Sequence, residues 1–240
     1  MKNKKIIFIA LDCSVSKAKL IIKSIPRIRS GSYIFGLKIG YQIFYSEQGR
    51  DFIKSIKKFP IFLDLKLHDI ENTIANAVRS LGDIKNIDYI TIHTSSGTQA
   101  IKTAKKLTKA KLLGVTTLTS FDQKKLKEIG HTKKIEQLIV HQAKLAKKAG
   151  CYAVICSGKE SLKINNLVKV KTITPGIRLP GDKTNDQKRV STPKNSFINQ
   201  KATGIVIGRS ITSGNIKNNF KKLFDHLKLW NFQQLKSVEI

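Results

Sequence analysis

The sequence predicts an α/β fold in which eight parallel strands close into a (β/α)8 TIM barrel. Three observations predict it. Eight short apolar runs, each bounded by polar residues, glycine or proline, recur along the 240 residues. Amphipathic stretches with apolar residues at three-and-four spacing lie between them. Strand followed by helix, repeated about eight times, requires parallel strands joined by crossovers, and such barrels commonly run to about 250 residues. The competing solution is an open doubly wound sheet. That fold usually has fewer strands and often a Gly-rich first turn, where this chain reads Leu11-Asp12-Cys13-Ser14. No repeat or linker divides the chain, so residues 1–240 are expected to form one barrel domain.

The first strand is Lys5 to Leu11. The preceding lysines imitate a signal peptide, but the apolar run from Ile6 to Leu11 is shorter than an h-region, so the stretch reads as a strand and the protein as cytoplasmic. Strand two is Tyr33 to Ile39, followed by an amphipathic stretch from Tyr41 to Phe59. Strand three is Pro60 to Leu67, with a one-sided helix from Ile70 to Leu81. Strands four and five are Asp88 to His93 and Ala110 to Leu118, and the helix Ile135 to Ala149 leads to strand six, Tyr152 to Cys156. Strand seven is Val170 to Thr174; Pro180 to Ser196 is polar without an apolar period and reads as a mobile loop of a length often used as a lid. Strand eight, Gly204 to Gly208, enters a helix from Ile211 to Trp230.

Composition narrows the function classes. The formal charge of +29 would attract nucleic acid or a phosphorylated ligand. The lysines are scattered in ones and twos, without a basic block or a recognition-helix pattern, which argues for solvated helix faces and against nucleic-acid binding. No apolar run reaches the roughly 18 residues of a membrane span. Cys13, Cys151 and Cys156 lack metal-ligand spacing and read as small core residues in a reduced compartment. No constellation of histidines and carboxylates suggests a metal. His131, His141 and His226 read as surface or helix-face residues.

In strand three, Ile61, Leu63, Leu65 and Leu67 alternate with Phe62, Asp64 and Lys66, so the charges share one face, with Asp69 just beyond. Taken alone, the stretch is equally compatible with a polar face turned to solvent. The barrel decides, because its chemistry sits at the carboxyl ends of the strands. There the chain places Asp12, Lys38, Asp64, Lys66, Asp69, His93, Thr119, Ser120, Arg178, Gly208 and Arg209, with the rest of the strands read as apolar. Two like charges about 4 Å apart cost on the order of 4 kcal/mol at an effective dielectric near 20, so such a cluster needs alternating signs. A Lys-Asp-Lys-Asp order through Lys38, Asp64, Lys66 and Asp69 meets that need. Gly208, the helix start after it and Arg209, with Arg178 after strand seven, suit a phosphate.

These residues resemble the orotidine 5′-phosphate decarboxylase family over almost the whole chain. The matching pieces are Ala10-Leu11-Asp12, Leu37-Lys38-Ile39-Gly40, Asp64 through Ile70 with Asn72-Thr73, Leu118-Thr119-Ser120, Thr174-Pro175-Gly176-Ile177-Arg178, Asn185-Asp186-Gln187 and Ile207 through Ser210. The resemblance implies a cofactor-free decarboxylation of orotidine monophosphate to uridine monophosphate by a homodimer. It implies that Lys66 protonates C6 of the pyrimidine, that Asp64 lies against the departing carboxylate, and that Lys38 holds Asp64 and contacts the ribose. By the same resemblance Asp12 binds ribose hydroxyls, Thr119 or Ser120 the pyrimidine, and Gln187, Arg178, Gly208 and Arg209 the phosphate region. Asp69 and Thr73 would reach the partner's site.

Glu71 stands where the family usually has proline, which implies a looser turn and a modest stability effect around an intact site. His68 has no chemical task and reads as a hydrogen-bonded structural residue. The alternative function is that of the metal-dependent sugar-phosphate decarboxylases and synthases of the same barrel. These resemble the chain at strand three but place a metal-binding carboxylate near where Lys38 stands.

Overall fold

In a computed structural model, residues 4–26, 32–182 and 190–229 are described. Eight strands close into a barrel in sequence order, β1 (Lys5–Ala10), β2 (Tyr33–Ile39), β3 (Ile61–Leu67), β4 (Ile87–His93), β5 (Lys111–Val115), β6 (Ala153–Ile155), β7 (Lys171–Ile177) and β8 (Gly204–Ile207). Each pairs in parallel with the next, and β8 returns to β1 with Ile6 opposite Gly204. Among the described residues no helix is long and apolar enough to cross a membrane.

The period-two pattern of the strands divides two apolar layers. Outward side chains such as Ile7, Ile9, Leu37, Leu63 and Ile205 join the helices in one continuous core. Inward side chains, among them Phe8, Phe62, Tyr89, Leu113 and Val206, fill the barrel. Phe8 packs edge-on against both Phe62 (5.1 Å between centroids) and Tyr89 (5.4 Å), a favoured arrangement that plugs the lower interior.

Several expectations are corrected. The stretch from Tyr41 to Phe59 is two helices, Tyr41–Phe44 and Gly49–Ser55. The Ser46 hydroxyl donates to the Ile43 carbonyl (2.7 Å) and ends the first, and a side chain at Gly49 would strike that same carbonyl, so only glycine permits the tight turn. The last stretch likewise divides into Arg209–Thr212 and Ile216–Leu227, the second capped by the Asn215 side chain; Trp230 lies outside the described residues. Helices Val15–Lys23, Gly97–Leu107, Gln123–Glu128 and Gly158–Val168 fill connections that the apolar period marks weakly, because each is short and buries only a few residues among polar ones. Of the polar stretch from Pro180 to Ser196, residues 183–189 lie outside the described part, and its end is helical: Thr192 caps Pro193–Ile198 with Pro193 in the first turn. Strand β7 extends to Ile177, and β5 stops at Val115.

The strand charges are not confined to one end. Lys5, Lys111 and Lys171 begin β1, β5 and β7, at the amino end of the barrel, and the strand interiors include the buried Thr91, Thr172 and Thr174.

Candidate active site

The site grows from an irregularity in β3. Leu63 pairs with Ile90 of β4, but the next pair is Leu67 with Ile92, so a four-residue step on β3 matches a two-residue step on its neighbour. Asp64, Leu65 and Lys66 therefore bulge out of the ladder, and Lys66 takes a φ of 45°. For a residue other than glycine that conformation costs about 1–3 kcal/mol and persists only where its surroundings enforce it. The displaced Lys66 N–H donates to the Thr91 hydroxyl (2.8 Å), and the Leu65 carbonyl accepts from the Tyr41 hydroxyl (3.0 Å). Neither peptide group is left orphaned.

On the inner face the charges alternate. Lys66 Nζ lies 2.9 Å from Asp64 Oδ2, Lys38 Nζ 3.4 Å from the same oxygen and 2.9 Å from Asp12 Oδ1. The Thr91 hydroxyl donates to Asp64 Oδ1 at 3.1 Å. Asp64 is buried and Lys38 largely so, with side chains 10% and 12% exposed. Burial would raise the pKa of Asp64, but the adjacent Lys38 and Lys66 ammoniums and the hydrogen bonds from Lys66 and Thr91 hold it below its ordinary value. Burial would likewise lower Lys38, and Asp64 and Asp12 hold it above its ordinary value. Both groups are thus charged around neutral pH.

Within one chain the charges run Asp12, Lys38, Asp64, Lys66: Asp12 extends the expected order at its Lys38 end, and Asp69 of the same chain makes no ion pair with Lys66. Asp69 is exposed and its Oδ1 accepts from the Ile70 N–H (2.7 Å). With Thr73, Tyr41, Tyr45 and His68 it borders a second hollow, which Lys66 also lines.

A cavity of about 460 Å³ lies over the charged chain, in the size range of sites for small organic ligands. Asp12, Lys38, Asp64, Lys66, Thr119, Arg178, Gly208 and Arg209 all line it, with Phe62 and Val206 among its apolar walls. Ser120 is not among its lining residues. Arg178 is 8% exposed and follows β7 directly; its N–H donates to the Ser191 carbonyl (2.9 Å), and the Ser191 N–H donates to the Gly176 carbonyl (3.2 Å). Gly176 takes φ 75°, which a residue with a side chain rarely adopts, and this bends the strand so that Arg178 meets the cavity. A methyl at Gly208 would touch Ala10 only at 3.5 Å, so packing within the chain does not demand glycine there. Gln187 lies outside the described residues.

Sequence reasoning missed Thr91, Tyr41, Thr117 and Gln142. The Gln142 carbonyl oxygen accepts from both the N–H (2.7 Å) and the hydroxyl (3.0 Å) of Thr117 at the cavity wall. The one available signal was a threonine inside the apolar run of β4. His68 makes no hydrogen bond among the described residues; it is exposed and stacks on His93 at 4.9 Å. Burial, then His68 and Lys66, push His93 down to about 4, so it is neutral at pH 7. Glu71 does not merely replace a rigid residue: its carboxylate accepts from Thr103 and, at 3.4 Å, from Gln99, tying the start of Glu71–Ser80 to the neighbouring helix.

An ammonium supported by a buried carboxylate, in one cavity with two guanidinium groups, suits an anionic substrate at whose reacting atom negative charge develops. The sequence matches the family described as Orotidine 5′-phosphate decarboxylase / HUMPS over residues 6–220. It is 40% identical over 227 residues to the orotidine 5′-phosphate decarboxylase of Buchnera aphidicola subsp. Acyrthosiphon pisum, covering 90% of this chain and 92% of the relative. The Idiomarina loihiensis enzyme of the same name is 38% identical over 216 residues, covering 86% and 90%. Among solved structures, orotidine 5′-phosphate decarboxylase from Lactobacillus acidophilus superposes with a TM-score of 0.78 at 30% identity, over 95% of this chain and all of that one.

Proposed function

The chain belongs to the orotidine 5′-phosphate decarboxylase / HUMPS family, and from that premise we propose that it decarboxylates orotidine 5′-phosphate to uridine 5′-phosphate, completing pyrimidine nucleotide synthesis. The observation that carries the reading is the alternating chain Asp12, Lys38, Asp64, Lys66 opening into a cavity that also holds Arg178 and Arg209. Loss of carbon dioxide leaves a carbanion at C6 of the pyrimidine with no adjacent electron sink, so the barrier requires roughly 20 kcal/mol or more of stabilisation. Lys66 contributes to it as a fixed ammonium: it stabilises the developing charge and then protonates C6. Asp64 holds that ammonium and lies against the departing carboxylate. Lys38 and Asp12 engage the ribose, Thr119 the pyrimidine, and Arg178, Gln187, Gly208 and Arg209 the phosphate, whose binding energy helps assemble the site.

In this reading no cofactor takes part, the chain works as one catalytic domain in the cytoplasm, and two copies pair so that Asp69 and Thr73 enter the partner's site. The exposure of Asp69 and Thr73 supports the pairing, as does the exposed apolar surface of Tyr45 and Ile70 nearby. A metal-dependent sugar-phosphate relative would place a carboxylate near the position of Lys38; here an ammonium bound to two carboxylates occupies it.

The test is the loss of orotidine 5′-phosphate absorbance in EDTA without added metal. Full turnover is expected, and activity that appears only with magnesium would overturn the reading. Mixing Asp69→Asn with Lys66→Ala should restore part of the activity through heterodimers, and no recovery would count against the shared site.

A further inference from the structure

A lysine whose ammonium must meet one carbon atom has four flexible side-chain bonds and here a backbone in a costly conformation, so something outside the lysine must hold it. The Leu65 carbonyl and the Lys66 N–H are the two ends of a single peptide unit. The Tyr41 hydroxyl donates to its oxygen (3.0 Å) and the Thr91 hydroxyl accepts from its nitrogen (2.8 Å). A rotation of this peptide plane would relieve the Lys66 φ of 45°, and it would break both bonds. We propose that Thr91 and Tyr41 are positioning residues that clamp the Leu65–Lys66 peptide and thereby aim the Lys66 ammonium, an inference that rests on Lys66 being the proton donor.

Two further contacts make the clamp specific to the site. Thr91 is fully buried, and the hydroxyl that accepts from Lys66 also donates to Asp64 Oδ1 (3.1 Å), so one oxygen fixes both the origin of the lysine side chain and the orientation of its counter-ion. Lys66 Nζ lies 5.8 Å from the centroid of the Tyr41 ring, so the residue that holds the peptide oxygen also presents a π face to the ammonium. Thr91 comes from β4 and Tyr41 from the helix after β2, so the two neighbours of β3 in the barrel set the bulge between them. The clamp serves the reacting end of the cavity and leaves Arg178 and Arg209 untouched.

The separation predicts a kinetic signature. Steady-state turnover of orotidine 5′-phosphate by Thr91→Val, which keeps the shape and removes the hydroxyl, should show kcat lowered about a hundredfold with KM within about threefold of the parent. Thr91→Ser, which restores the hydroxyl, should recover most of that loss. Tyr41→Phe, at a position 48% exposed and tolerant of the change, should lower kcat about tenfold, again with little change in KM. It decides the matter if Thr91→Val does not fold. A kcat within twofold of the parent in either hydroxyl-deleted enzyme overturns the inference, as does equal loss in Thr91→Val and Thr91→Ser, which would make packing the cause. Lys66→Ala run alongside separates the levels. If it is inactive while Thr91→Val is fully active, only the clamp is refuted; near-normal turnover by Lys66→Ala removes the proton-donor assignment and the clamp with it.

Discussion

The two ends of the barrel use the same cation in opposite ways. At the amino end, Lys111 lies over Tyr89 (5.3 Å) and Tyr152 (4.8 Å) and Lys171 over Tyr152 (4.4 Å), covering a closed aromatic plug, while Lys5 lies over Phe197 (5.2 Å) of the outer core. At the carboxyl end, Lys38 and Lys66 meet carboxylates beneath a cavity. The difference follows from what fills the interior. Phe8, Phe62 and Tyr89 leave no room below, and lysines there shield ring faces, worth about 0.5–1 kcal/mol each at exposed sites, with Lys171 also donating to the Tyr152 hydroxyl (3.2 Å). Above Phe62 the lining includes Ala10, Val115, Gly176 and Gly208, space opens, and buried charges must compensate one another, where losing one partner costs about 3–5 kcal/mol. Stability is concentrated at one end and electrostatic strain at the other.

That contrast can be broken or sharpened by substitution. The largest effect is expected from Lys66→Ala: turnover should fall on the order of 10⁴-fold or more, with the fold and much of the nucleotide affinity retained, so an active variant would dissolve the functional end. Phe8→Ala, at the plugged end, should destabilise by about 3–5 kcal/mol in urea unfolding while the protein that remains folded keeps its kcat; a kcat that fell in proportion would mean the ends are not independent. Arg209→Ala should raise KM about tenfold to a hundredfold with a near-normal kcat, and an unchanged KM would remove it from the phosphate site.

Titration offers a smaller probe. His93 is held at about 4 when folded, against an ordinary value of 6.5, so between those values the unfolded chain binds more protons. Its contribution to stability is complete above about pH 6.5 and is lost as the pH falls toward 4. The unfolding midpoint should therefore drop across that window, and His93→Asn should flatten the drop; an identical slope would show that His93 is not responsible. Smallest of all, Lys171→Ala should cost no more than about 1 kcal/mol and leave both kinetic constants alone.

The strands were legible because each is a bounded apolar run, and the Ile135–Ala149 helix because its apolar stripe is long enough to show a period. Helices such as Gly97–Leu107 were not, since Ala100, Ile101 and Ala104 form a narrow buried stripe among lysines. The turn before Pro193 carried a readable Thr-Pro cap signal that the polar composition around it concealed.

By itself the sequence determined the barrel and which residues reach its carboxyl end, because a two-residue side-chain period and the polarity of a parallel strand are local properties. Tertiary structure alone decided how those residues are joined. That Asp12 joins the charged chain through Lys38, that β3 bulges at Lys66, and that Thr91 and Tyr41 hold the bulge all depend on contacts between residues about 25 positions apart. Such contacts leave no mark on local composition or period, because they exist only once neighbouring strands are brought side by side.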